Sequence, residues 1–153
     1  MIRRIYVVLG FIAAPFAIKA LQLYTKVTNS PRVRVLVTNE DGEVLLLRGI
    51  LSDGKWTLPG GGIKRHETPA VAAWRELREE TGINVPKDSL KFVRTLTRAD
   101  TQVSFTALLY QLSVKRTALP DRLINPLEIR DVAWFDRDKL PAPLSSIAQA
   151  ALH

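Results

Sequence analysis

Alternating and continuous apolar segments along the chain predict the strands of a β-sheet. The first segment alternates polar or basic side chains with Val33, Val35 and Val37, which is the two-residue period of a half-buried strand. An Asp-Gly pair, Asp41-Gly42, separates it from the second segment and is typical of a hairpin turn. The later segments are rich in Val, Phe, Thr and Leu, which favour strands. The predicted strands cover residues 32–38, 43–48, 90–97, 102–114 and 132–135.

A helix is predicted over residues 68–81, between the second and third strands. Thr68 is a suitable N-cap, and Gly82 lies just beyond the predicted end, where glycine commonly terminates a helix. Asp138 and Ser145 are expected to open one or two short helices near the C-terminus. Strands, a central helix, more strands and a terminal helix predict an α+β or α/β sandwich.

The first thirty residues have a different pattern. Fourteen uncharged residues run from Ile5 to Ile18, between Arg4 and Lys19. As a helix they would span about 21 Å, which is short of the roughly 30 Å hydrocarbon core of a bilayer. Pro15 would also kink a continuous helix. Three interpretations stay open for this segment: a helix packed on the domain or a partner, a membrane anchor, and a cleaved signal peptide.

This apolar surface cannot stay free in water, so it must be buried against protein or lipid. We therefore predict an additional apolar N-terminal helix that packs on the protein itself, across a homodimer. Peripheral membrane contact through residues 2–23 is the alternative. The predicted organisation is an N-terminal helix and linker over residues 1–30, followed by one compact domain over residues 31–153.

Composition and charge narrow the chemistry of the domain. The chain of 153 residues contains 22 Lys and Arg against 15 Asp and Glu, a net charge of +7, which suits phosphate-bearing ligands, nucleic acid or an anionic membrane. It has no cysteine, which excludes disulfides, cysteine-ligated zinc, iron–sulfur clusters and a thiol nucleophile. Two histidines cannot form a multi-histidine metal site. Any metal is therefore expected to be a hard cation held by carboxylates.

Three glutamates crowd one face of the predicted central helix. Glu76 lies three and four residues before Glu79 and Glu80, so like charges repel on that face. They also lie near the C-terminal end of the helix, where its dipole disfavours anions. A bound divalent cation would relieve both costs, whereas the alternative is a solvated acidic face. The three glycines Gly60 to Gly62 precede this helix and allow the backbone to approach a ligand closely.

The spacing of these residues resembles the Nudix box. Five residues separate Gly61 from Glu67, seven more lead to Arg75-Glu76-Leu77, and Glu79-Glu80 and Gly82-Ile83 follow at the family's spacing. Every fixed position of the box is matched, which makes the resemblance specific. With its strand-like flanks, the chain is similar to Nudix hydrolases from about Arg32 to about Leu140.

The resemblance implies an α/β/α sandwich with a mixed β-sheet. It also implies hydrolysis of a nucleoside diphosphate linked to another moiety, with Mg²⁺ or Mn²⁺ as cofactor. Glu76, Glu79 and Glu80 resemble the family's metal-binding carboxylates, and the carbonyl of Gly60 is a further predicted ligand. Glu79 or Glu76 is the expected catalytic base.

The same resemblance suggests roles for neighbouring residues. Arg75 is expected to orient the glutamates through charge-assisted hydrogen bonds, and Glu67 to close the loop at the helix start. Glu128 lies in a loop before a Trp-Phe strand, where an acid in several family members acts on metal, water or substrate. The alternative for Glu128 is a solvated loop residue.

Substrate contacts are predicted from two glycines and two aromatic residues. The backbones of Gly61 and Gly62 are expected to approach the substrate. Trp56 and Phe105 are candidates for stacking on a base, although aromatic residues on strands more often belong to the core.

The sequence says least about substrate identity. The proline and the tyrosine that often follow the box in ADP-ribose and dinucleoside polyphosphate hydrolases are both missing from residues 96–101. A nucleoside triphosphate or modified nucleotide, cleaved to a monophosphate and pyrophosphate, is therefore the expected substrate. A nucleotide-sugar or dinucleotide hydrolase and a non-catalytic nucleotide-binding module are the alternatives. We expect a cytoplasmic enzyme, membrane-associated if its N-terminus binds lipid, with no stable nucleic-acid partner.

Overall fold

The computed structural model describes residues 31–98, 105–122 and 124–153. The predicted N-terminal helix and its packing lie outside these residues. Within the described ranges, no helix has the length and apolar character needed to cross a membrane.

Among the described residues, five strands form a mixed sheet: β1 (Arg32–Thr38), β2 (Val44–Gly49), β3 (Lys91–Arg98), β4 (Phe105–Ser113) and β5 (Ile129–Phe135). Their order across the sheet is β3-β4-β1-β2-β5, with the central strand β1 parallel to β4 and the remaining neighbours antiparallel. The predicted strands are confirmed where they are described, and residues 102–104 of the fourth lie outside the described residues. The last strand, β5, begins at Ile129 rather than Val132 because its pairing with β2 continues past a bulge to Gly49.

In the described part of the chain, two α-helices accompany the sheet, α1 (Pro69–Thr81) and α2 (Ser146–Leu152). The predicted cap of α1 is confirmed: Thr68 Oγ1 accepts a hydrogen bond from the Val71 N–H at 3.4 Å. Gly82 ends the helix in the left-handed region, with φ of 76°. Ser145 caps α2 by accepting from the Ala148 N–H at 3.2 Å.

Asp138 does not open a helix, contrary to the prediction. It lies inside a single 3-10 turn, Arg137–Lys139, and its N–H donates to the carboxylate of Asp136 at 3.0 Å. Asp136 is the better cap because it directly precedes the turn and its side chain reaches the second N–H of that turn. Two further 3-10 turns cover Lys87–Ser89 and Arg116–Ala118.

Apolar side chains cover both faces of the sheet. Alternate residues of β1 join Ala73 and Leu77 of α1 in one cluster. The other cluster combines Leu46 and Leu109 of the sheet with Ile147 of α2. Helices on opposite faces of a mixed sheet form the predicted α/β/α sandwich.

The strands β1 and β2 separate beyond their hairpin, and residues 56–61 pair with both of them. Leu47 and Thr57 exchange backbone hydrogen bonds of 2.9 and 2.8 Å on the β2 side. On the β1 side, Val35 N–H donates to the Pro59 carbonyl and Val33 N–H to the Gly61 carbonyl, both at 2.9 Å. The central strand therefore fixes the glycine-rich segment in place.

Gly60 lies closest to the central strand. Its φ is 137°, and a Cβ built on it would lie 2.2 Å from the Val33 carbonyl oxygen. Neither the backbone angle nor the space accommodates a larger residue. Nothing lies within 4 Å of the corresponding position on Gly62, two residues later.

We predict that Gly60→Ala destabilises the protein by about 3 kcal/mol or more, because it adds both backbone strain and a clash with β1. Gly62→Ala is the matched control and is expected to change stability by less than about 1 kcal/mol. Urea denaturation of both variants measures the difference. Equal losses for the two substitutions would show that the segment is not held as described.

Candidate active site

Arg75 connects the loop before α1 to the glutamates on that helix. Its Nε and Nη2 atoms donate to the two carboxylate oxygens of Glu67 at 2.8 and 2.9 Å. Its Nη1 atom donates to Glu76 at 2.7 Å and to Glu79 at 3.1 Å, and Nη2 also reaches the Gly62 carbonyl at 3.1 Å. One guanidinium thus holds three carboxylates and the loop backbone, and we refer to this group as the Arg75 clamp.

Charge and hydrogen bonding make the clamp strong at neutral pH. The hydrogen bonds from Arg75 lower the pKa of Glu67 to about 2, and the Lys64 N–H, at 3.0 Å, adds to this effect. The same bonds with Glu67 are the main cause of the raised pKa of Arg75. The side chains of both residues are about nine-tenths buried, at 11% and 10% exposure. Such bidentate charged pairs are stronger than neutral hydrogen bonds.

The loop backbone lies directly against Glu76. A Cβ built on Gly61 would lie 2.6 Å from the Cδ and Oε1 atoms of that side chain. A larger residue here would displace the Glu76 carboxylate from its hydrogen bond with Arg75, which gives a steric reason for glycine at this position of the predicted motif.

Glu80 is held differently from the other two glutamates. Its Oε2 accepts a hydrogen bond from the Gly60 N–H at 2.7 Å. Burial raises the pKa of Glu80 to about 7, and the nearby carboxylates of Glu76 and Glu128 add to the increase. The Gly60 N–H and the charge of Arg34 oppose it. Glu80 is therefore a carboxylate whose charged form needs a further positive partner.

Arg34, on the central strand, is a neighbour that the sequence analysis did not select. Its Nη1 atom donates to the carbonyls of Gly60 and Val33, the latter at 3.4 Å. Burial lowers the pKa of Arg34, whereas the charges of Glu80 and Glu76 favour its charged form. The sequence signal that could have identified Arg34 is its position within the alternating pattern of the first predicted strand. A charged residue on a strand that becomes buried usually has a partner.

The predicted metal ligands fit a hard cation in their chemistry. Glu76, Glu79 and Glu80 each have one carboxylate oxygen in the hydrogen bonds described above and a second oxygen outside them. Carboxylate oxygens are the ligands that Mg²⁺ and Mn²⁺ prefer. Among the described residues, however, no three His, Cys, Asp or Glu side chains form a group that could hold an ion. The carbonyl of Gly60 accepts from Arg34, so its role as a ligand stays a prediction.

Glu128 lies near Glu80, since its charge contributes to the raised pKa of that residue. The Glu128 side chain is exposed and accepts a hydrogen bond from Asn125 Nδ2 at 2.9 Å. Its backbone carbonyl accepts from the Ile50 N–H at 2.9 Å, which anchors the loop to the end of β2. The predicted participation of Glu128 stays a prediction.

Trp56 and Phe105 are the two predicted stacking residues. Trp56 is only 9% exposed and packs edge-on against Phe135, with ring centroids 4.8 Å apart. The guanidinium of Arg48 lies over the Trp56 ring, 4.8 Å from its centroid. Trp56 is therefore mainly a core residue. Phe105 begins β4, but its side chain lies outside the described part of the structure.

A cleft of about 290 Å³ adjoins the end of α1. Glu80 lines it together with Trp56, so the buried carboxylate faces a space that a small ligand could enter. Two arginines, Arg122 and Arg130, also line it, and neither was selected from the sequence. The remaining lining residues are Thr81, Leu119, Pro120, Asp121, Asp131, Val132 and Ala133.

Solved structures with the same fold include bacterial and archaeal proteins. A MutT NUDIX hydrolase from Burkholderia pseudomallei is 27% identical and matches with a TM-score of 0.65, covering 80% of this chain and 95% of that one. A MutT protein from Methanosarcina mazei Go1 is 26% identical with a TM-score of 0.59, covering 80% and 88% of the two chains.

Sequence comparison identifies both a related protein and a family model that match this chain. An RNA pyrophosphohydrolase from Xanthomonas campestris pv. campestris (strain B100) is 47% identical over 53 residues, which is 35% of this chain. The chain spans only 25% of the length of that relative. A model of the NUDIX domain matches residues 28–152, which is most of the sequence. This chain belongs to the Nudix family.

Proposed function

We propose that this protein is a metal-dependent pyrophosphohydrolase that cleaves the diphosphate linkage of a nucleoside diphosphate derivative. The observation that carries the proposal is the Arg75 clamp, which holds Glu76 and Glu79 on the helix whose next residue, Glu80, faces the cleft. A carboxylate and two arginines that line the same cleft suit a ligand that brings both phosphates and a divalent cation.

Each side chain of the site has a distinct proposed task. Glu76, Glu79 and Glu80 would hold Mg²⁺ or Mn²⁺, which when bound neutralises charge on phosphate oxygens and lowers the pKa of water. Glu79 is the better candidate for the base, because its side chain is 45% exposed whereas that of Glu76 is 15% exposed. Arg75 limits the motion of both carboxylates, so that they meet the substrate in one arrangement.

The proposed substrate is a nucleoside triphosphate or a modified nucleotide, with a monophosphate and pyrophosphate as products. The cleft of about 290 Å³ shares Leu119, Pro120 and Val132 with a second cavity of about 600 Å³, and together they reach the size range of small-molecule sites. Arg122 and Arg130, which line the cleft, could pair with the phosphates.

A second candidate substrate is the 5′ end of an RNA. The sequence relative described above is named an RNA pyrophosphohydrolase, although the match covers only part of both chains. The net charge of +7 also favours binding to a polyanion. This candidate differs from the first in requiring contacts beyond the cleft.

A panel of substrates tests the proposal and separates these candidates. We expect full-length protein with Mg²⁺ or Mn²⁺ to release pyrophosphate and a monophosphate from nucleoside triphosphates. The panel also contains modified nucleotides, a nucleotide sugar, a dinucleoside polyphosphate and a short 5′-triphosphorylated RNA. Preference for the RNA would favour the second candidate. Nucleotide binding without turnover of any substrate would indicate the non-catalytic alternative.

Glu79→Gln should lower kcat by about 100-fold or more while nucleotide still binds, because it removes the proposed base and leaves the cleft intact. Asp88→Asn, on the exposed 3-10 turn after α1, is the matched control and should retain wild-type turnover. Steady-state kinetics and calorimetric binding measure the two quantities. A Glu79→Gln variant with full turnover would refute the assigned role.

The raised pKa of Glu80 predicts how the metal-free protein responds to pH. The unfolded carboxyl ionises near 4.5, whereas the folded one ionises near 7, so the folded state binds more protons between these values. Stability should therefore fall as pH rises from about 4.5 to about 7. Thermal melts in chelator from pH 5 to 8 should show this decline in wild type and a smaller one in Glu80→Gln. Parallel curves for the two proteins would contradict the assignment.

A further inference from the structure

Arg34 places a fixed positive charge on the inner side of the predicted metal site. It belongs to β1, the central strand of the sheet, where it alternates with the buried Val33 and Val35. Its guanidinium reaches across to the Gly60 carbonyl on the adjoining segment. The Gly60 N–H, on the same residue, points to Glu80, so this one glycine separates a cation from a carboxylate.

The position of Arg34 would be unfavourable without nearby anions. Its Nε atom is buried, and no described residue accepts a hydrogen bond from it. An interior charge is tolerated only when opposite charges compensate its loss of hydration. Glu80 and Glu76 offset part of this cost, as both favour the charged form of Arg34 although burial still lowers its pKa. These are also two of the three carboxylates proposed to hold a divalent cation.

Arg34 and a divalent cation would therefore compete for the Gly60 carbonyl and the carboxylates near it. A cation bound at the Gly60 carbonyl would lie next to the guanidinium, and like charges at such separations repel strongly where water is partly excluded. Glu76 and Glu79 are hydrogen-bonded to Arg75 instead, and Arg34 has no described bond to either carboxylate. The competition with Arg34 therefore concerns the Gly60 carbonyl and the Glu80 carboxylate on the other side of that residue.

We propose that Arg34 is a positioning residue whose guanidinium takes the place of a divalent cation at the Gly60 carbonyl and thereby leaves metal binding to the carboxylates of the site. This inference rests on the proposed function for the presence of a metal, but not for the identity of the substrate. The Arg34 guanidinium thus supplies part of the positive charge that balances the carboxylates of the site.

Mn²⁺ titration of the full-length protein, followed by electron paramagnetic resonance and calorimetry, tests the proposal. Arg34→Met removes the charge and should add a Mn²⁺ position or tighten Mn²⁺ binding by at least about tenfold, in line with a nearby charge at partly buried separation. Arg34→Lys keeps a positive charge and should retain the wild-type stoichiometry and affinity.

A control variant and a replacement variant complete the test. Arg94→Met is the matched control, since Arg94 is exposed on β3 and, among the described residues, donates to the Ala150 carbonyl. Its Mn²⁺ binding should equal that of wild type. Arg34→Gln keeps a donor for the Gly60 carbonyl without the charge, and it replaces Arg34→Met if that variant does not fold.

Wild-type stoichiometry and affinity in the charge-removing variant would overturn the proposal, as would weaker Mn²⁺ binding. A lack of Mn²⁺ binding by every variant would also overturn it. Because Mn²⁺ binding is measured without substrate, a protein that hydrolyses no nucleotide but shows the expected gain in Arg34→Met would refute the proposed function and leave this inference standing.

Discussion

The site depends on one arginine that must satisfy several carboxylates at once. Without Arg75, the like charges of Glu76 and Glu79 would repel each other along the helix. The loop that contains Glu67 would also lose its ion pair with the helix. Because a guanidinium offers several donors in a rigid plane, it can bind one carboxylate in a bidentate manner and still reach two others. A lysine, with one compact ammonium group, could not replace this arrangement.

The sheet supplies the second constraint. Where β1 and β2 separate, residues 56–61 pair with both strands, so that the glycine segment is positioned by backbone hydrogen bonds. Gly60 then presents its N–H to Glu80 and its carbonyl to Arg34. The clamp holds Glu76 and Glu79, and the Gly60 N–H holds Glu80, which places fixed charges of both signs close together.

Local sequence rules account for most of the elements, and the resemblance to the Nudix box indicated the clamp. The capped helix α1 and the strand β1 follow from residue periodicity and capping, and the motif spacing pointed to Arg75 and Glu67. The contact of Arg34 with Gly60 and the proximity of Glu128 to Glu80 depend on how distant segments pack, which periodicity does not encode. The packing of Trp56 in the core also depends on a distant segment, because its partner Phe135 lies far along the sequence.

A double-mutant cycle between Arg75 and Glu67 tests the central claim most directly. Free energies of unfolding are measured for wild type, Arg75→Met, Glu67→Gln and the double variant at pH 7. We expect a coupling energy of about 1–3 kcal/mol, as for buried hydrogen bonds between charged groups. It should diminish as pH falls from about 4.5 toward about 2, because Glu67 is then protonated in the unfolded and finally in the folded state. Additive single effects at pH 7 would contradict the account, because they would show that this pair does not hold the loop to the helix.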